Sequence, residues 1–294
     1  MTRSAPTAAL RRKLETLYAN YSREEYLTRD PAGALDRSLP WEDLELLSFI
    51  LAGLSYGRVE NIYRSYFALL ERLQSLGIST GGRGLSEWLR QTPEQEQHRI
   101  LSSTLRGWVH RLNSAEDLRS VLMALAHAQR KWGSLAVTFL EARQDAQTPK
   151  EALIGFCTRL DSCVPKSAAN ARRSSAAARW KGTGASWFWA SPLQGSTCKR
   201  LVMWMRWMSR KDAIDLGLWA ERYPEYPLKK ELFWPVDTHI HKWAIGEGLT
   251  SRKSANWVFV EELTSWAQTL CPEDPARYDF VICQSGMLRF RRKL

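Results

Sequence analysis

Lys199 and Asp237 are the residues of this sequence best placed for chemistry. Lys199 stands in the first turn of a predicted helix running through Leu201, Val202, Met203, Met205 and Trp207, with Ser196 or Thr197 as its cap. There the positive end of the helix dipole and the neighbouring Arg200 both disfavour an ammonium ion. A lysine amine that sheds its proton can attack a sugar C1′ and form a Schiff base. A lysine in a basic segment also fits a plain phosphate contact, and both roles stay open. Asp237, in Pro235-Val236-Asp237-Thr238-His239, follows the apolar Leu232, Phe233 and Trp234 and so belongs at the edge of a core. It can cap the helix that follows, from Thr238 to about Ile245. It can also stabilise positive charge that develops on a deoxyribose as its base departs.

Other chemistries find less support. His239 and His241, two positions apart on a helix, point about 200° from each other and cannot hold one metal ion together. No G-x-x-x-x-G-K-[ST] loop, G-x-S-x-G elbow or H-E-x-x-H helix occurs, which argues against nucleotide hydrolysis, serine hydrolysis and zinc proteolysis. Cys157, Cys163, Cys198, Cys271 and Cys283 are odd in number and never spaced C-x-x-C, so neither a disulfide framework nor a zinc ribbon is expected. No cofactor and no metal is expected, and a reducing cytoplasm fits best. The start, Met1 to Pro6, has no hydrophobic signal core, and no segment offers the roughly 20 apolar residues of a membrane helix.

Charge points to a polyanion. The chain carries 42 Lys plus Arg against 31 Asp plus Glu, a net +11, with a pI near 9.6. From Lys166 to Lys211 there are ten basic residues and no acidic one. Arg172, Arg173, Arg179, Lys181, Arg200, Arg206, Arg210 and Lys211 are the candidate DNA contacts from this stretch. Its first part is rich in Ala, Ser and Gly and suits a loop whose charges settle along phosphates. Trp180, Trp187, Phe188 and Trp189 lie in or beside it. They can stack on unpaired bases or pin the loop to a core, and the sequence leaves both open.

The elements that must position these residues are helical. Apolar residues recur at three and four in Leu10, Leu14 and Leu17, in Leu44 to Leu54, and in Val59 to Leu73 before Gly77. Further helices are predicted over 86 to 112, 116 to 130 and 132 to 143. Ser251 or Ser254 opens another through Leu270, and Asp274-Pro275 reads as cap and first residue of a last helix ending by Gly286. Strand alternation is scarce, so the fold class is all-α. The shift in composition near residue 160 suggests a helical lobe over 1–159, a basic loop over 160–197 and a second helical lobe over 198–294.

Five stretches together carry a resemblance. They are Cys198-Lys199-Arg200-Leu201 continuing through Trp204 to Asp212 and Asp215 to Trp219; Pro235 to His239; Cys271 to Pro275; Tyr278-Asp279-Phe280; and Leu51 to Val59. In this order the sequence resembles an uncharacterised bacterial family of conserved hypothetical proteins. That family is more distantly similar to the helix-hairpin-helix DNA glycosylases, most of all the archaeal 8-oxoguanine type. The resemblance implies a two-lobed helical fold with the active site between the lobes. It also implies a base-excision glycosylase, with AP lyase activity, acting on an oxidised purine such as 8-oxoguanine by base flipping. On it Lys199 is the nucleophile and Asp237 the stabilising carboxylate. Asp279 reads the flipped base, and Trp207 and Trp219 are candidate walls of its pocket. Three departures stand beside it. The L-P-G-x-G hairpin is absent, Lys199 and Asp237 are 38 residues apart, and Lys211 is a rival nucleophile. The four cysteines of an iron-sulfur centre are missing. The alternative is a DNA-binding protein that keeps the fold and cleaves nothing.

Overall fold

Thr92-Pro93, Gly133 and the Tyr56-Gly57 pair interrupt long runs of helix-forming sequence, and each marks a real boundary in the computed structural model, which describes residues 7–21, 24–165 and 184–291. Among these the structure is predominantly α-helical, with a single two-stranded hairpin. The chain forms two compact units. One is residues Pro31–Ala190, the middle unit; the other joins Met1–Asp30 to Ser191–Leu294, the terminal unit.

The middle unit is built around α2 (Trp41–Leu54), whose residues from Asp43 to Leu54 are all buried. A helix apolar on every side must be central. Its two buried carboxylates find partners at helix starts. Asp43 accepts from the backbone N–H groups of Gly84 and Ser86, both at 2.8 Å, where α4 (Leu85–Gln91) begins. Glu45 accepts from Leu135 and Ala136, at 2.9 and 2.8 Å, at the start of α7 (Leu135–Gln144). These N–H groups have no partner within their own helices, so one unmet need cancels another.

Around α2 lie α3 (Val59–Gln74), α5 (Glu94–Thr104), α6 (Ala115–Trp132) and α8 (Pro149–Cys163). The helix expected over 86 to 112 is instead α4 and α5, split at Pro93, followed by the hairpin β1 (Val109–His110) and β2 (Asn113–Ser114). Pro93 cannot donate within a helix and holds Thr92 extended (ψ 126°), which is why the periodicity misled. Phe188 and Trp189 are both 1% exposed. Phe188 fills the space left by the missing side chain of Gly53, where a Cβ would stand 2.0 Å from its ring. Trp189 donates to Asp161 at 2.8 Å. These aromatics pin their segment to the core and are not platforms for bases. The division expected at 159/160 falls inside α8, one turn before the helix ends.

The terminal unit contains α1 (Ala8–Tyr21), α9 (Lys199–Ser209), α10 (Leu218–Arg222), α11 (Thr238–Gly246), α12 (Trp257–Leu270) and α13 (Asp279–Arg291). Trp204, Trp207, Trp219 and Trp234 are fully buried in its core, Trp204 edge-on to Trp219 at 5.0 Å. Asn256, and neither Ser251 nor Ser254, caps α12 through the Phe259 N–H at 3.1 Å. The last helix starts at Asp279 and not beside Pro275. It also runs past Gly286, whose bare Cα lies against the His239 ring on α11, leaving 3.2 Å to an added Cβ.

Candidate functional site

Lys199 is the first residue of α9 and is half-buried. The residue before it, Cys198, adopts φ 50°, a left-handed conformation that costs a non-glycine residue roughly 1 kcal/mol. Such strain is commonest where geometry serves a purpose. Neither Ser196 nor Thr197 is the cap. Ser196 Oγ instead accepts from the Cys198 N–H at 3.1 Å, and burial pushes the Cys198 thiol up to about 12. Ahead of this lies a tight turn, Pro192–Gln194 closed by Gly195 (φ 72°), with Leu193 73% exposed at its tip. The Gly195 carbonyl accepts from the Trp257 N–H at 3.2 Å, tying the turn to the start of α12. The Lys199 Nζ reaches one turn along its own helix to the Met203 sulfur, 3.2 Å away.

Asp237 caps α11 as its sequence suggests. Its Oδ1 accepts from the backbone N–H groups of His239 and Ile240 at 2.8 and 2.9 Å. Its Oδ2 accepts from the thiol of Cys283, on α13, at 3.3 Å. Burial, first, and then the Asp237 carboxylate hold that thiol well above its usual range, while the Lys199 ammonium pulls in the other direction. Asp237 and Cys283 therefore meet between the start of α11 and α13, and the charge of Lys199, at the start of α9, is felt at the thiol. Asp30 also acts on the Cys283 thiol, raising it further.

Asp279 lies one turn before Cys283 on α13 and is 1% exposed. Its carboxylate pairs with Arg206, and more distantly with Arg210 at 3.9 Å. Arg206 and Arg210 both also pair with Asp215, at 3.2 and 2.6 Å, and Arg210 reaches Asp212 at 3.1 Å and Asp274 at 3.7 Å. Burial opposes charge on both guanidinium groups, but the surrounding carboxylates outweigh it and hold them more firmly protonated than usual. Burial likewise pushes the carboxyls of Asp215 and Asp274 up. This network clamps the end of α9 to the start of α13.

Several expected roles change as a result. Arg206 and Arg210, 2% and 4% exposed, spend their charge on buried aspartates and are not placed to meet a phosphate. Asp279 is engaged by those arginines and does not stand open to a base. Trp207 and Trp219 are core residues, each 0% exposed. Lys211 is exposed but pairs with Glu221 at 3.0 Å, beyond the C-terminal end of α9 and so at the opposite end of that helix from Lys199. Arg200 is half-buried beside Lys199. Arg172, Arg173, Arg179 and Lys181, with Trp180, lie outside the described residues. Cys283 was not singled out by the sequence, because one cysteine at helical spacing among Phe280, Val281 and Ile282 looks like core.

Among the described residues no three of His, Cys, Asp and Glu converge to hold a metal ion, and no helix is long and apolar enough to cross a membrane. The chain matches no curated protein and no solved structure. One family model does match, over residues 30–288, which takes in the middle unit, most of the terminal unit and Lys199, Asp237 and Cys283, so the chain belongs to the protein family of unknown function DUF2400.

Proposed function

We propose that this chain is a DNA base-excision glycosylase with lyase chemistry, built on a helix-hairpin-helix glycosylase-like fold. The observation that supports the reading is that Asp237, anchored as the cap of α11, meets Cys283 on α13, a thiol that also feels the charge of Lys199 at the start of α9, although 38 residues separate the lysine from the aspartate. The turn Pro192–Gly195 directly ahead of α9 supports it as the counterpart of the missing hairpin consensus, on the N-terminal side of the lysine.

The chemistry follows from the two groups. As the bond between C1′ and the base breaks, the base leaves with the bonding electrons and takes up a proton, and positive charge gathers on the deoxyribose. The Asp237 carboxylate, anchored through Oδ1, stabilises that charge. The Lys199 amine supplies an electron pair to C1′, and as the sugar ring opens its oxygen takes up a proton given up by the amine, leaving an iminium linked to the enzyme. Loss of a C2′ proton then expels the 3′ phosphate by β-elimination. The net charge of +11 supplies attraction to the backbone. The substrate is a damaged purine in duplex DNA such as 8-oxoguanine, reached by flipping the base.

The test is incubation of labelled duplexes containing 8-oxoguanine with the protein in the presence of borohydride, beside Lys199→Gln and Asp237→Asn. Wild-type protein is expected to nick the duplex and to become covalently trapped; Lys199→Gln is expected to lose both and Asp237→Asn at least 100-fold in rate. Tight binding of every duplex without nicking or trapping would replace this reading with that of a DNA-binding protein of the same fold.

A further inference from the structure

Asp237 is held from two directions. The N–H groups of His239 and Ile240 fix Oδ1 from its own helix, at 2.8 and 2.9 Å. Oδ2 is met from another helix by the Cys283 thiol at 3.3 Å. The approach that permits this contact is built into the sequence of α13. Gly286, three residues on, has no side chain, and the space a Cβ would occupy ends 3.2 Å away at the His239 ring. An added Cβ there would press on that ring, which would have to give by a few tenths of an ångström. One turn earlier Asp279 ties the same helix to Arg206 on α9, the helix that begins with Lys199.

A thiol in such a place has one useful form. Asp237 from α11 is in contact with it, and the charges of Lys199 on α9 and of Asp30 also act on it. Burial and the two carboxylates keep the proton on sulfur, so the S–H can donate and the thiolate, which would repel Asp237, does not form. A donor whose charged form is disfavoured fixes a carboxylate without neutralising it.

From this geometry we infer that Cys283 is a positioning residue, its thiol donating to Asp237 Oδ2 and holding the carboxylate in the orientation it needs beside Lys199. The inference rests on the glycosylase reading for its catalytic consequence, but not for the contact itself. Cys283 touches neither sugar nor base and forms no covalent intermediate.

Two measurements test it. The first needs no activity. Alkylation of Cys283 by iodoacetamide at pH 9, followed by peptide mass spectrometry in the native protein, is expected to be several-fold faster in Asp237→Asn than in wild type, because the charge that suppresses the thiolate is gone. An unchanged rate, with the two proteins equally stable, would overturn the contact. The second reads the rate of imine trapping on a saturating abasic-site duplex beside the affinity for that duplex. Cys283→Ala loses the donor that orients the carboxylate, so its trapping rate is expected to fall about tenfold with the affinity unchanged. Cys283→Ser, which keeps an O–H donor, is expected to recover the wild-type rate. Equal trapping rates for wild type and Cys283→Ala would overturn the positioning role. Failure of wild-type protein to trap at all would instead count against the glycosylase reading, and the alkylation rates would still decide the contact.

Discussion

Asp237 does two jobs that can be separated by experiment. As the cap of α11 it satisfies two backbone N–H groups, and in the proposed reaction its charge stabilises the sugar. Asparagine caps helices about as well as aspartate, so Asp237→Asn is expected to keep its stability within about 0.5 kcal/mol while losing imine formation. Asp237→Ala is expected to lose about 1 kcal/mol as well, read as a shift in the urea midpoint. The place of Asp237 was legible in the sequence because aspartate before a helix marks a cap, whereas the start of the Lys199 helix was placed correctly on caps, Ser196 or Thr197, that the structure does not use. What each of them faces was not legible. The partner of Asp237 on α13 is 46 residues away, and local patterns carry no record of contacts at that distance. For the same reason Arg206 and Arg210 read as surface charge: nothing near them announces that Asp279, 73 residues on, will draw Arg206 inside.

At the scale of elements, the clamp between α9 and α13 positions the candidate site, and its cost is concentrated in charges out of water. Replacing one partner strands the others, so Arg206→Met is expected to destabilise the protein by about 3–5 kcal/mol in guanidinium denaturation. The clamp also has an acid-sensitive member. Burial works against the Asp212 charge, but Arg210 and the N–H groups of Ile214 and Asp215, both at 2.8 Å, lower its pKa below the ordinary value. A carboxyl lowered in the folded state adds stability above its unfolded pKa of about 3.9, and that stability is lost as pH falls through the folded value. Asp212→Asn is therefore expected to lose stability relative to wild type at neutral pH, with the difference shrinking below about pH 4. In the middle unit, Gly53→Ala sets a methyl group into the Phe188 ring and is expected to cost about 1–3 kcal/mol. That Gly53 sits within a helix was plain from periodicity. That it admits an aromatic ring from 135 residues further on was not.

For the whole molecule, the periodicity indicated a helical chain, which the structure is, and the net charge raised the expectation of a polyanionic partner. The division into units was only half legible. The change in composition near residue 160 marks the basic stretch and not a unit boundary, and the return of the first 30 residues to the C-terminal segment depends on α1 packing against α13, far apart in sequence. If the excess charge serves DNA, affinity for duplex DNA is expected to fall log-linearly with salt, by at least tenfold between 50 and 200 mM, in a fluorescence anisotropy titration. An affinity insensitive to salt would separate the charge from the proposed substrate.

The central claim is that one lysine is the nucleophile, and it can be read directly from a covalent adduct. An abasic-site duplex is incubated with the protein and borohydride, the complex is digested with nuclease and protease, and the modified peptide is located by mass spectrometry. The sugar remnant is expected on Lys199, beside Asp237 and Cys283. A remnant on Lys211 or on any other lysine, or no adduct at all, would contradict the assignment.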